Sequence, residues 1–239
     1  MTTATLTGEP ALTRAVPRLA AFKIAAYLRS HRVVQPFLGL LVVIIVLYST
    51  RAPAGQELPA YADSAAMLVP VLAWAARGLL DAEPDVQRLI SMTAAGRPGR
   101  EVAAGLLAAG AVAGTLAALA VAVPLGIGFA AFPGPATIVG GLALHLLSLV
   151  AGVALGALTS RPILRDPATS ALALLGGYAG VLLLGLVPVP WLTVPVLGWI
   201  RAAGRPDFLT AGLPGPAAIT VVWCALALLA YTRLRRTRP

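Results

Sequence analysis

The sequence predicts an all-α, polytopic membrane protein with six transmembrane helices and both termini in the cytoplasm. Three observations carry that expectation. The 239 residues are 59% hydrophobic and 11% charged, with a mean hydropathy of +0.87, where a soluble domain is roughly a quarter charged. Positions 102–160 and 167–200 contain no Asp, Glu, Lys or Arg, and each tract exceeds the roughly 20 residues a helix needs to cross the hydrocarbon core. The 18 Lys and Arg also divide unevenly between alternate loops, fifteen on one side and three on the other.

Apolar runs this long and without alternation fit helices, which satisfy their own backbone groups in lipid, and do not fit barrel strands. The first span is expected over 33–49. The second covers 61–80, with Arg77 close enough to its end to snorkel. The long uncharged tract holds two spans, 102–129 and 136–159, because Phe132, Pro133, Gly134 and Pro135 form a breaker cluster in its middle. Pro124 is expected to kink or end the third span. The fifth covers 168–187, stopped by Pro188 and Pro190, and the sixth covers 216–232.

The cations then orient the chain. The fifteen include Arg14, Arg18, Lys23, Arg29 and Arg32 before the first span and Arg233, Arg235, Arg236 and Arg238 after the last. The other side has only Arg51, Arg201 and Arg205. Cytoplasmic loops carry the excess of Lys and Arg, so residues 1–32 and 233–239 are expected inside, the latter as a basic tail. In this setting the net charge of +9 answers to anionic headgroups and the orientation rule, and no nucleic-acid function is expected. The expected location is the plasma membrane.

Two segments outside the spans have texture. Positions 12–32 place Val16, Leu19, Ala20, Phe22, Ile24 and Tyr27 among spaced cations, as in a basic helix lying on a membrane surface; a merely basic tail fits as well. Ala52, Pro53 and Ala54 resemble a signal-peptidase site, but the 32 residues before the apolar run are too many for an ordinary n-region, so the first span is expected to be retained. The segment 188–214 is rich in proline and holds Trp191, Trp199 and Arg201, as an outer interfacial or re-entrant segment should.

Chemistry inside the membrane is nearly excluded. Catalysis or ion coupling at depth needs ionisable groups, and only His145 lies well inside a span, without an acidic or thiol partner within helical reach. It is read as a packing or pathway residue, and so is Asp63 near the outer end of the second span, where with Ser64 an interfacial cap is the leading reading. The single Cys224 cannot form an intramolecular disulfide. Nucleophile-elbow, zincin and P-loop motifs are absent from the sequence, so no catalytic or metal-binding residue and no cofactor is assigned to this chain. Gly110 and Gly114, Gly152 and Gly156, and Gly176 and Gly180 are each four apart, the spacing of close helix approach in bundles or dimers.

The most organised loop is 81–101. Asp81, Glu83 and Asp85 cluster where a helix N-terminus favours negative charge, with Pro84 suited to the first helical position. Val86, Leu89, Ile90 and Thr93 follow helical spacing, and Gly96, Pro98 and Gly99 end the pattern. A short amphipathic helix over 84–95 results, suited equally to a lipid interface or to a protein partner.

With this loop the layout resembles the membrane subunits of ABC exporters of the type 2 permease family: a basic N-terminal segment, six spans, and an acidic-then-basic helix between spans two and three. The run from Gln87 to Glu101 resembles that family's coupling segment. The resemblance covers nearly the whole chain in layout, but the local motif is degenerate. It implies that a separate P-loop ATPase subunit, holding ATP and Mg, receives Val86, Gln87, Arg88, Leu89, Ile90, Ser91, Met92, Arg97 and Arg100, and that a second six-span permease subunit completes the pathway in the lipid bilayer. The chain itself is then no enzyme. The rivals are a secondary transporter or channel, which predicts intramembrane charge that the sequence lacks, and a non-transporting accessory protein of the immunity type on the same scaffold.

Overall fold

A computed structural model describes residues 15–84, 87, 90, 93 and 97–237. Among these the fold is all-α: α1 (Ala15–Arg29), α2 (Val34–Tyr48), α3 (Glu57–Leu80), α4 (Pro98–Ile127), α5 (Pro135–Leu158), α6 (Pro167–Leu184), α7 (Val196–Ala203), a π-helical turn (Phe208–Gly212) and α8 (Pro214–Thr237). Five helices, α3, α4, α5, α6 and α8, are long and apolar enough to cross a membrane; a sixth span arises if α1 and α2, bent by 78° at their junction, count as one. At 1.5 Å per residue the 15 residues of α2 reach only about 22 Å, short of a hydrocarbon core of about 30 Å. His31, with φ of 58°, turns the corner between them in the left-handed region, where His is among the few side chains enriched.

Proline sets several helix starts. Pro98, Pro135 and Pro167 each stand at the first helical turn of α4, α5 and α6, where the missing N–H leaves nothing unsatisfied. Pro98 therefore opens α4 four residues before the expected start of its span. Pro124 does not end α4, which continues to Ile127, and α3 also contains an internal proline, Pro70. α8 runs to Thr237, so positions 233–237 are helix, not a tail.

The bundle is built around α3, which packs against α2, α4, α5, α6 and α7. Its face is paved with alanine: Ala62, Ala65, Ala66, Ala73 and Ala76 are buried. Opposite them stand the glycines of α5. A Cβ on Gly152 would lie 2.6 Å from Leu72 Cβ, and one on Gly156 would meet the Ala73 carbonyl oxygen and lie 2.9 Å from Ala76 Cβ. Between apolar helices in lipid the hydrophobic effect supplies little, and such close backbone approach gains dispersion instead. Of the three glycine pairs spaced by four, only this one is at a helix contact; Gly110, Gly176 and Gly180 have nothing within 4 Å, and Gly114 meets only a distant leucine methyl.

Outside, the polarity is that of a membrane protein. Val42, Ile45 and Val46 of α2, Leu146 of α5, Leu172 and Leu183 of α6, and Val222, Leu226 and Leu229 of α8 are all exposed. A soluble monomer does not carry an apolar surface of this extent.

The segment between α6 and α8 is folded into the bundle. Val196, Trp199, Ala202 and Ala203 of α7 are buried, and Trp199 Nε1 donates to Thr220 Oγ1 at 3.2 Å. Trp199 is thus a core residue and not an interface anchor, because α3 and α8 flank it with apolar surface and Thr220 takes its single donor. Trp191, by contrast, is exposed.

Candidate functional site: a charge cluster at the base of a loop

Two places concentrate polar side chains: the middle of the bundle and the end carrying the first turn of α4. In the middle, His145 is buried between α3 and α5. Its Nδ1 stands 2.8 Å from the Gly141 carbonyl oxygen and its Nε2 3.3 Å from Ser64 Oγ. A carbonyl only accepts, so Nδ1 carries the proton and Nε2 is an acceptor. The Tyr48 hydroxyl reaches Ser64 Oγ at 3.2 Å, and the Tyr61 ring meets the imidazole edge to face at 5.7 Å. Tyr61 in turn donates to the Val121 carbonyl oxygen at 2.9 Å. Each group is held by a neighbour, and this network packs α2, α3, α4 and α5 together.

That arrangement, with every partner inside the bundle, favours packing over a pathway role for His145. His145→Ala is expected to lower stability by about 2–4 kcal/mol, through a cavity and a Ser64 hydroxyl that loses a partner, as measured by thermal unfolding in detergent. Activity per folded molecule should be unchanged; its loss at unchanged melting temperature would return His145 to a pathway role. Asp63 is exposed, and because α3 begins at Glu57 it lies a turn and a half inside the helix rather than at its cap, while Ser64 beside it faces the core.

At the charged end, the acidic residues of the 81–101 loop turn inward. Lys23 of α1, with only 9% of its side chain exposed, pairs with Glu83 and, at 3.0 Å, with Glu101 Oε1. Arg235 of α8 approaches both Glu101 oxygens at 3.3 Å. Lys23 and Arg235 from α1 and α8 thus meet Glu83, just beyond α3, and Glu101 of α4 in a buried cluster. A neighbouring knot surrounds Asp81, which caps the C-terminus of α3. Its Oδ1 accepts from Arg161 N at 2.7 Å, its carbonyl accepts from Arg32 Nη1 at 2.9 Å, and Arg77 Nε lies 3.6 Å from its Oδ2. Burial pushes the Asp81 carboxyl above the ordinary range, with the Arg161 amide and the three arginines pulling the other way.

Three expectations change here. Asp81 and Glu83 do not stand free at the N-terminus of a following helix; they bond inward, because Lys23 and the Arg161 amide offer desolvated partners that outcompete a partial helix charge. Arg77 does not snorkel: its side chain is 11% exposed and its Nη2 donates to the Pro167 carbonyl oxygen at 3.1 Å. On α1, the buried stripe is Ala20, Lys23 and Tyr27, while Phe22 and Leu28 are half exposed. Tyr27 packs on Gly78 of α3, and burial pushes its phenol up to about 12.

Between these anchored roots, Gln87, Ile90 and Thr93 are helical and Ile90 is 64% exposed. Val86, Arg88, Leu89, Ser91 and Met92 lie outside the described residues. Arg97 is the exposed N-cap position of α4, and Arg100 is half-buried in its first turn.

At the opposite end, a cavity of about 790 Å³ opens between the first turns of α3 and α5 and the loop through Phe208. Arg205 and Asp207 form a bidentate pair there at 3.0 Å, and the buried Glu57 accepts from Gly55 N at 2.9 Å. Among the described residues no group of three or more His, Cys, Asp or Glu could hold a metal ion.

Fold and surface together define a helical membrane protein. Compared with protein-family models, curated proteins and solved structures, the chain matches none.

Proposed function

We propose that this chain is the membrane subunit of an ATP-driven exporter resembling the ABC type 2 permeases, with both termini in the cytoplasm. The observation that carries the reading is the 81–101 loop. Its two roots are pinned to the bundle by buried ion pairs and hydrogen bonds, and Ile90, itself helical and exposed, stands between them. A loop whose two roots are held this firmly is built to take load, and an exposed apolar residue between them is a docking contact for a protein partner. The near absence of ionisable groups at depth argues for an energy source in another chain.

In this reading a cytoplasmic P-loop ATPase, which holds ATP and Mg, receives the loop in a groove. Closure of two ATPase subunits displaces the loops of two permease subunits, and the bundles rock to open an outward path. The apolar interior suits an amphipathic or hydrophobic cargo.

Affinity purification in mild detergent tests the partnership. A P-loop ATPase is expected to co-purify, and repeated absence of one from the purified material rules the reading out. Ile90→Asp should leave insertion and melting temperature unchanged, since the side chain is exposed, and should lower ATP hydrolysis stimulated by the complex at least about tenfold, the effect of losing roughly 1.4 kcal/mol at one interface contact. Full stimulation in that variant assigns docking elsewhere.

A further inference from the structure

We propose that Lys23 is a positioning residue: it ties both roots of the 81–101 loop to α1, so that the loop, α1 and the end of α8 respond to load as one body. Lys23 is the only lysine in the chain, and it is where a lysine is least expected, on the buried stripe of a helix otherwise edged with surface arginines. Its ammonium has three donors and no acceptor. One goes to Glu83, just beyond α3, and another to Glu101, in the first turn of α4. The two carboxylates flank the loop, so a single cation closes its base.

Glu101 continues the connection, since it also meets Arg235 near the end of α8. The chain of contacts therefore runs from the entry root of the loop through α1 to the exit root and on to the last helix. Among the described residues the charged groups bonded to Lys23 are Glu83 and Glu101, with Arg235 across Glu101, and removal of Glu101 takes a buried carboxylate from both cations. An ammonium bridging two separate carboxylates acts as a pivot: it holds both roots without the planar fork that would lock one of them.

The coupling half of this proposal rests on the exporter reading; the structural half does not. Amide hydrogen exchange on the detergent-solubilised full chain tests the structural half. The Asp81 and Ala82 amides, bonded to Arg77 O and Leu79 O, and the Arg100 amide, bonded to Arg97 O, should exchange at least about tenfold faster in Lys23→Met, with α3 and α5 core amides unchanged. Glu83→Gln removes the charge on the entry side, weakening that ion pair to a neutral hydrogen bond, and keeps Lys23 on Glu101. It should accelerate Asp81 and Ala82 but not Arg100, and it serves if Lys23→Met does not fold. Root exchange equal to the native chain in either variant overturns the proposal.

For the coupling half, ATP hydrolysis by the assembled complex is measured with the same variants. Lys23→Met and Glu83→Gln should retain the co-purified ATPase yet lose stimulation. Full stimulation in both variants overturns the coupling role. If the native chain brings down no ATPase, the exporter reading and the coupling half fail together while the exchange result stands.

Discussion

Gly156→Ala is expected to cost more stability than a methyl at any other described glycine of α4, α5 or α6. A Cβ at that position would strike the Ala73 carbonyl oxygen and lie 2.9 Å from Ala76 Cβ and 3.0 Å from Arg77 N. Two of those three atoms belong to the backbone of α3, which cannot rotate away as a side chain would. The two helices must separate, and the alanine face of α3 then loses its contact along the whole seam. The loss should be about 3 kcal/mol, the upper part of the usual overpacking range, and Gly156→Leu should prevent folding. Gly176→Ala is the control, because nothing lies within 4 Å of the position. There the methyl should be neutral or stabilise by up to about 1 kcal/mol, as alanine does over glycine in a helix interior. Thermal unfolding monitored by gel filtration in detergent compares the two. Equal melting temperatures would mean that α3 and α5 do not approach as described.

Glu101→Gln should produce the second large effect. The side chain is 4% exposed and is approached by Lys23 at 3.0 Å and Arg235 at 3.3 Å. Glutamine keeps the shape and one acceptor but removes the charge that Lys23 and Arg235 share. Breaking a buried ion pair from one side costs about 3–5 kcal/mol, because the orphaned charge has lost its solvent as well as its partner. The double variant Lys23→Met, Glu101→Gln removes one cation together with the carboxylate charge and should recover part of that loss. A double-mutant cycle on unfolding free energies reads the coupling directly. Additive single and double effects would show that the cluster contributes nothing as a unit, and the base of the loop would then owe its order to packing around Tyr27 and Asp81.

Much of the architecture is legible in the chain itself. The breaker Phe132 to Pro135 separates α4 from α5, and Pro188 and Pro190 follow α6. Hydropathy and breakers report on these helices because a helix in lipid satisfies its backbone within its own segment, so its existence is a local property. The misplaced details are those a neighbour decides. Pro98, expected with Gly96 and Gly99 to end the preceding helix, instead opens α4. Trp199 carries the marks of an interface anchor until Thr220 supplies an acceptor 3.2 Å away.

The candidate site divides in the same way. The loop stands out in the chain, because 81–101 combines helical spacing with both signs of charge. Its wiring does not. Lys23 lies 60 positions from Glu83 and 78 from Glu101, and Arg235 is 134 from Glu101. Periodicity on α1 alone assigns Lys23 to the headgroups with the other cations, since only the approach of two buried carboxylates makes an inward lysine favourable.

By itself, then, the sequence determined that this is a helical membrane protein and which stretches become its long helices, because burying a backbone in lipid depends on the apolar length of each segment. Tertiary structure alone decided which of three glycine pairs meets another helix, which cation turns inward, and that His145 has partners. Those outcomes depend on the distance between helices, and that distance follows from the fit of side chains far apart in the chain.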